Sequence, residues 1–393
     1  MRIVMFSETY LPHINGAVTH IKMLNDALSA MGHQVIVATT SDVREPVLKD
    51  NVLYSPGHRM KKIYDYRIAN PISVKRTEIL ASFKPDIFHI HNEFGMGLAA
   101  LRAAKRLDVP VVYTLHSEYD KYMFYLGKSF AEASMIRMAR KYLGHFVKNA
   151  DIILSPSPKA QAYVDSVNMG KDVLVLPNAV NSEPFREACA DPLFRRQFRR
   201  EHNMADNCRA FVFVGRLGKE KSVHDLVHYF GRLNLPKEKA RLFIIGKGPE
   251  TDSLHTLIAD EAYDDRILLL GSLPNEELPA YLTAMDYYMT ASLSEMHSIS
   301  LLEATAAGLP AVIRLDPPNS WQIEDGVNGF TWADESALKT LMERLLSQTA
   351  EEERALRERV IQYAKTHDVS HQAEELLKIY EDAIRLHALR KAN

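Results

Sequence analysis

Only two cysteines, Cys189 and Cys208, occur in 393 residues. That is too few for a disulfide framework or a cysteine metal cluster, and a reducing cytoplasm is the expected setting. No apolar run approaches the roughly 20 residues that span a bilayer, so no membrane-crossing helix is expected. Met1 and Arg2 lead directly into Ile-Val-Met-Phe, which reads as a first strand, and no secretory signal segment is expected. The polar loop after that strand lacks G-x-G-x-x-G; its one glycine, Gly16, stands at the start of the next helix. A dinucleotide cofactor and hydride transfer are therefore disfavoured. Net charge is close to zero, at −2, and no nucleic-acid partner is expected.

What charge there is lies unevenly. Residues 1–180 hold 22 Lys/Arg against 16 Asp/Glu, whereas the remaining residues hold 26 against 34. The denser basic patches are His58-Arg59-Met60-Lys61-Lys62 and the run Lys128 to Lys148, which contains Arg137, Arg140 and Lys141. Such an asymmetry suits an anionic partner such as a membrane surface, or simply solvated helix faces.

Apolar strands alternate with amphipathic helices along the chain. Ile3–Phe6, a helix with Val18, Ile21, Leu24, Leu28 and Met31 on one face, and the strand VIVAT make a βαβ unit. Strands at Ile87–His91, Val111–Leu115 and Ala150–Ser155 continue it, and VLVLP ends at Pro177. Asp191–Cys208 is dense in charge and reads as a helical or loose connector. A second series follows, with strands at Phe211–Leu217, Arg241–Gly246, Ile267–Gly271, Tyr287–Ser292 and Ala311–Leu315, then a helical tail. The order predicts an α/β protein of two doubly wound, Rossmann-like domains facing across a cleft, residues 1–185 and 186–371. In such sheets ligands bind outside the carboxyl ends of the strands.

The stretch Ser294–Pro310 is the centre of that reading. Glu295 and Glu303 stand eight positions apart, and Ser300 opens an S-x-x-E pattern that predicts a short helix ended by Gly308 and Pro310. Glu295 is expected in the preceding loop and Glu303 in the first turn, with free N–H groups between them as an anion pocket. A capping box at Glu303 and an ordinary loop carboxylate at Glu295 fit the same residues. Arg216 ends a strand and Lys221 opens the next helix, a pair suited to a diphosphate or to a solvated basic turn. Gly246 and Gly248 follow a strand and permit close backbone approach. His116 sits at a strand's carboxyl end, where a substrate can be met. His89 and His91 face one side of a strand; a metal there needs a third ligand that the sequence does not single out, and both read as packing residues or supports for a neighbouring group.

These motifs together resemble the retaining glycosyltransferases of family 4, which have the GT-B architecture. Glu295 and Glu303 match the family's E-x7-E, followed by LLEATAAGLPAV. FVGRLGKEKS matches its phosphate-binding segment, IIGKGPE its glycine turn and PHINGAV its N-terminal glycine loop. The resemblance implies that Arg216 and Lys221 hold the diphosphate of a sugar nucleotide, that Glu303 binds the ribose, and that Glu295 acts beside the sugar. It further implies that the backbone of His297, Ser298, Ile299 and Ser300 contacts sugar and phosphate, that Gly246 lines the donor, that Gly16 and His116 approach from the first domain, and that no active-site metal or other cofactor is needed. Met296, His297 and Ser298 stand where many members have Gly-Phe-Gly, which leaves the donor sugar open.

The segment after His116 is aromatic, with Tyr119, Tyr122, Phe124 and Tyr125, and the basic run follows it. It is similar to bacterial diacylglycerol glucosyltransferases, which read T-x-H followed by clustered tyrosines. The expected reaction is transfer of a hexose from UDP-glucose to a lipid such as diacylglycerol at the inner membrane face. A soluble or polysaccharide acceptor, a GT-B isomerase and a non-catalytic nucleotide binder are the alternatives, and cleft packing is the alternative role for the aromatics. The last helix, 372–393, is amphipathic, and in proteins of this fold such a helix crosses back to the first domain.

Overall fold

The computed structural model describes residues 1–13, 15–60, 66–116, 132–167, 169–293, 295–315 and 320–392. The chain divides into two compact units, Met1–Asn178 with Val369–Asn393, and Ala179–Asp368.

Unit 1 runs β1 (Arg2–Phe6), α1 (Gly16–Ala30), β2 (Gln34–Ser41), β3 (Val47–Lys49), β4 (Val52–Met60), β5 (Tyr66–Ala69), α2 (Val74–Phe83), β6 (Ile87–Ile90) and α3 (Gly95–Leu107). It continues through β7 (Val111–Thr114), α4 (Glu132–Asn149), β8 (Ile152–Ser155), α5 (Ala160–Asp165) and β9 (Val173–Val175). The sheet order is β3-β4-β2-β1-β6-β7-β8-β9, with β5 paired to β4; β3 and β5 pair antiparallel to β4 and the other pairs are parallel. The central strands β6, β7 and β8 are buried at every residue, as a parallel sheet covered on both faces requires. Asn15 caps α1 by accepting from the Val18 N–H at 3.0 Å, and the stripe Val18, Ile21, Leu24 and Leu28 is buried.

Unit 2 contains α6 (Glu183–Ala190), α7 (Pro192–Glu201), β10 (Arg209–Val214), α8 (Val223–Arg232), β11 (Ala240–Ile245), α9 (Thr251–Asp260) and β12 (Ile267–Gly271). α10 (Leu278–Thr283), β13 (Tyr287–Thr290), α11 (Ile299–Ala306), β14 (Ala311–Arg314), β15 (Gly329–Trp332), α12 (Glu335–Leu346) and α13 (Ala350–Lys365) complete it. Its parallel sheet has the order β12-β11-β10-β13-β14-β15, the doubly wound pattern whose switch point lies between β10 and β13. Strand alternation divides the core: Phe211, Phe213, Leu242 and Ile244 pack in one cluster, Ala210, Val212, Phe243 and Ile245 in the other.

The final helix, α14 (Val369–Ala392), belongs to unit 1, where Ala373, Leu376, Tyr380 and Ala383 pack with Ile21, Leu24 and Leu28 of α1. Asn178 and Val369 bound the units, rather than residues 185 and 372. Val180 is tied into unit 2 by its N–H to the His367 carbonyl at 2.9 Å and a parallel bridge to Asp368.

Of the two readings of Asp191–Cys208, helical or loose, the helical one holds over Pro192–Glu201, and the segment packs on the unit 2 core. Asp191 caps α7, Phe198 packs on Phe243 at a ring separation of 5.1 Å, and Arg195 pairs with Asp286 at 2.6 Å. Burial alone would raise the Asp286 carboxyl; the Arg195 guanidinium and the Ala210 N–H outweigh it and hold it below its ordinary value. Among the described residues no helix is long and apolar enough to cross a membrane.

Candidate active site

In unit 2 the polar residues gather at the carboxyl ends of β10 and β13, the two strands of the switch point. Arg216 leaves β10 half-buried. Lys221 lies in a 3-10 turn, Lys219–Lys221, and Ser222, in the left-handed region with φ 49°, separates it from α8. It therefore precedes the helix instead of opening it. Its ammonium donates to Glu295 Oε1 at 2.5 Å, joining two residues that are 74 positions apart in sequence.

The short helix α11 starts two residues before the expected point. Ser298, not Ser300, is the cap, accepting from the Leu301 N–H at 3.3 Å. Glu303 is thereby placed in the second turn and is not part of a capping box. Ser300 instead bonds Tyr288 at 3.0 Å and Ser298 at 3.1 Å through its hydroxyl. Gly308, with φ +76°, ends the helix with its N–H on the Thr305 carbonyl. Burial raises the Glu303 carboxyl to about 7, although the residue keeps partial exposure.

Two of the expected donor-contact residues also have partners within unit 2. The Ser298 N–H already donates to Gln322 Oε1 at 3.1 Å. Gly246 is a glycine for an internal reason: a Cβ there would stand 1.8 Å from the Gly215 carbonyl oxygen, so the two strand-end loops could not pass. His297 is buried against Trp321, rings stacked 5.1 Å apart, and burial lowers it to about 3. Ile299 is the first residue of α11 and is buried. A recess of about 910 Å³ in unit 2 is lined by Trp321, Glu324, Arg359, Tyr363 and His367, and not by Glu295 or Glu303.

In unit 1, Gly16 is the first residue of α1, next to its Asn15 cap. His116 stands two residues past β7 and is joined by two histidines from other segments. His91, just past β6, meets it nitrogen to nitrogen at 3.0 Å. His20, on α1, has its ring centroid 5.2 Å from that of His116. Ring nitrogens of His20, His91 and His116 all lie within 4.8 Å of one another, a separation that a transition metal could bridge. His89 is turned elsewhere: Nε2 bonds Thr114 at 2.6 Å and Nδ1 bonds Tyr380 of α14 at 2.7 Å. The sequence reading named His116 and the strand pair His89 and His91, but missed His20. Its only signal is a polar residue on the apolar stripe of α1.

Nearby, Glu8 accepts from the Ala69 and Met96 N–H groups at 2.5 and 2.7 Å, and burial raises it to about 7. It serves the first turn of α3, which lacks a side-chain cap of its own. Tyr119, Tyr122, Phe124 and Tyr125 lie outside the described residues. Arg137, Arg140 and Lys141 are exposed on α4 beside Met138, while Leu143, Phe146 and Val147 of the same helix are buried.

Two Rossmann-like units, one with the 3-2-1-4-5-6 order and cations at its switch point, define the GT-B class of glycosyltransferases. Family models agree: residues 14–184 match glycosyltransferase family 4 and residues 194–367 match the glycosyl transferases group 1. The chain is 32% identical over 337 residues to an alpha-monoglucosyldiacylglycerol synthase of Acholeplasma laidlawii, covering 84% of each. A protein of the same description from Streptococcus pneumoniae is 26% identical over 364 residues, 92% of this chain and 82% of that one. Anabaena HepE in complex with UDP and glucose superposes with a TM-score of 0.74 at 16% identity, covering 96% of this chain and 99% of that one. This chain belongs to the family 4 glycosyltransferases and is a transferase enzyme.

Proposed function

We propose that the protein transfers glucose from UDP-glucose, with retention of configuration, to diacylglycerol or a closely related membrane lipid. The observation that carries the reading is the likeness to two alpha-monoglucosyldiacylglycerol synthases over most of the chain. UDP as the nucleotide is supported by the fold shared with HepE, which binds UDP and glucose.

In this reading Arg216 and Lys221 hold the diphosphate, Glu303 the ribose hydroxyls, and Glu295 acts beside the sugar. The backbone of Ile299 and Ser300 at the start of α11 adds N–H groups to the same anion. Gly16 and His116 serve the transfer from unit 1. Positive side chains stabilise the departing diphosphate, which needs no proton donor. A diphosphate at Lys221 must share that ammonium with Glu295, so donor binding alters the charge balance at Glu295 as well. The exposed cations Arg137, Arg140 and Lys141 with Met138 suit an anionic lipid surface, and we place the enzyme at the inner face of the membrane.

The deciding experiment measures UDP release from UDP-glucose with and without dispersed diacylglycerol, beside a panel of other sugar nucleotides. Lipid-dependent release with a glycolipid product is the expected result. Release that ignores the lipid moves the acceptor to a soluble molecule or polysaccharide. No release with any donor of the panel leaves an isomerase or a nucleotide binder.

A further inference from the structure

We propose that His91 positions His116 by donating its Nδ1–H to His116 Nε2, which fixes His116 as the Nδ1-protonated tautomer and leaves its Nδ1–H as the donor offered to a substrate hydroxyl. This rests on the reading that His116 serves the transfer.

The sheet supplies the contact. β6 and β7 are parallel neighbours with Ile90 opposite Tyr113, and the two histidines leave the carboxyl ends of these strands. Their rings lie 5.3 Å apart at an interplanar angle of 21°, and His91 Nδ1 meets His116 Nε2 at 3.0 Å. Burial holds His91 well below the ordinary histidine range and His116 at about 4. A 3.0 Å hydrogen bond between two ring nitrogens needs an N–H on one and a bare lone pair on the other, so one proton lies in the bond between them.

The direction of that bond follows from the far side of His91. Among the described residues His91 Nε2 is buried and has no hydrogen-bond partner. If His116 were the donor, the His91 proton would sit on Nε2 as a buried N–H with nothing to receive it. If His91 is the donor, Nε2 is only a bare lone pair. Buried N–H groups are rarely left unmade, and unsatisfied acceptors are the cheaper defect. His89 cannot change this balance, since Thr114 and Tyr380 occupy both its nitrogens.

The consequence is chemical. With Nε2 engaged by His91, His116 has no bare nitrogen for a substrate proton. It acts as a hydrogen-bond donor to an oxygen and not as a general base.

The test labels the histidines of the full chain with nitrogen-15 and reads two-bond proton–nitrogen couplings, with His116→Gln assigning the ring. Wild type is expected to show His116 protonated at Nδ1 and bare at Nε2, without any substrate. His91→Leu should release the ring to the Nε2-protonated form and lower kcat by about tenfold, with little change in the donor KM. His91→Asn, whose amide places an N–H close to the original Nδ1, should restore the tautomer and most of the lost turnover. An Nε2-protonated His116 in wild type overturns the proposal. So does a chain that purifies with one bound zinc whose removal changes the His20, His91 and His116 signals, because the cluster is then a metal site. Unchanged kcat in His91→Leu despite a switched tautomer overturns the positioning role. The tautomer is read without turnover, so it stands or falls separately from the transferase reading. Should His91→Leu fail to fold, the wild-type and His91→Asn spectra still decide.

Discussion

The polar corner of unit 1 and that of unit 2 both sit at the carboxyl ends of parallel strands, yet they are chemical opposites. Unit 1 gathers His20, His91 and His116, and burial holds His91 and His116 below the ordinary histidine range. Unit 2 gathers formal charges: Arg216, the contact of Lys221 with Glu295, and a Glu303 carboxyl held near neutral titration. Charged groups suit an anion that arrives and departs, as a nucleotide diphosphate does. Neutral, buried hydrogen-bonding groups suit hydroxyls, whose recognition needs direction more than charge. Parallel strand ends thus supply two kinds of polar corner, and the difference lies in which side chains follow the strands and face them from the neighbouring helices.

The harshest way to break this contrast is to remove the charge that unit 2 offers. Arg216→Ala is expected to lower kcat by roughly 10²-fold or more, the usual scale for losing one donor to a developing anion. The unfolding midpoint should move little, because the residue is half-buried and lies in a loop. Full activity in Arg216→Ala would mean that the diphosphate sits elsewhere.

Glu303 sharpens the contrast through pH. Its carboxyl is raised from 4.5 to about 7 by burial, so the ionised form that binds hydroxyls best is partly lost near neutrality. The donor KM should rise as pH falls from 8 to 6, and Glu303→Gln should raise it by about tenfold and flatten the pH dependence. The linkage sign gives a second readout. Ionisation costs more in the folded than in the unfolded chain, so the penalty is absent below the unfolded pKa of about 4.5, grows as pH rises and is complete above 7. Glu303→Gln should therefore be more stable than wild type at pH 8 and indistinguishable at pH 4. A wild-type KM that is flat with pH would remove Glu303 from the ribose.

Charge reversal on α4 asks whether the basic outer face of unit 1 serves a purpose. Replacing Arg137, Arg140 and Lys141 by glutamate should cut binding to anionic vesicles, at about 1 kcal/mol per cation, with no change in UDP-glucose hydrolysis without lipid. Equal vesicle binding by variant and wild type would return these residues to ordinary solvation.

Much of this was legible in the sequence, and the misses have physical causes. Long apolar strands and the spacing of Glu295 and Glu303 located both sheets and the unit 2 corner. The strands β3, β4 and β5 escaped because they form a partly exposed edge, and VLYSPGHRM carries proline and glycine inside a strand. The start of α11 was misplaced because Ser298 and Ser300 both offer a hydroxyl, and only the Tyr288 contact shows which one is occupied. α7 looked like a connector because its arginines hide their purpose: Arg195 reaches Asp286 and the Ala284 and Met285 carbonyls, all far along the chain. The histidine corner was hardest, since His20, His91 and His116 meet only once a parallel sheet has been assembled.

The mildest prediction concerns what holds that corner in place. Tyr380 of α14 is fully buried, and its hydroxyl bonds His89 Nδ1 at 2.7 Å, linking the last helix to β6, which His91 directly follows. Tyr380→Phe keeps the ring and its packing but leaves His89 with an unmade bond, at a cost of about 1–2 kcal/mol. The thermal transition of unit 1 should fall by a few degrees, as expected for that loss in a domain of this size, while kcat stays unchanged because both histidines of the His91–His116 bond are untouched. An unchanged transition would mean that His89 finds another partner. A fall in kcat as large as that of His91→Leu would mean that α14 sets the geometry of the corner through His89, and that the corner is held by the C-terminal helix as well as by the sheet.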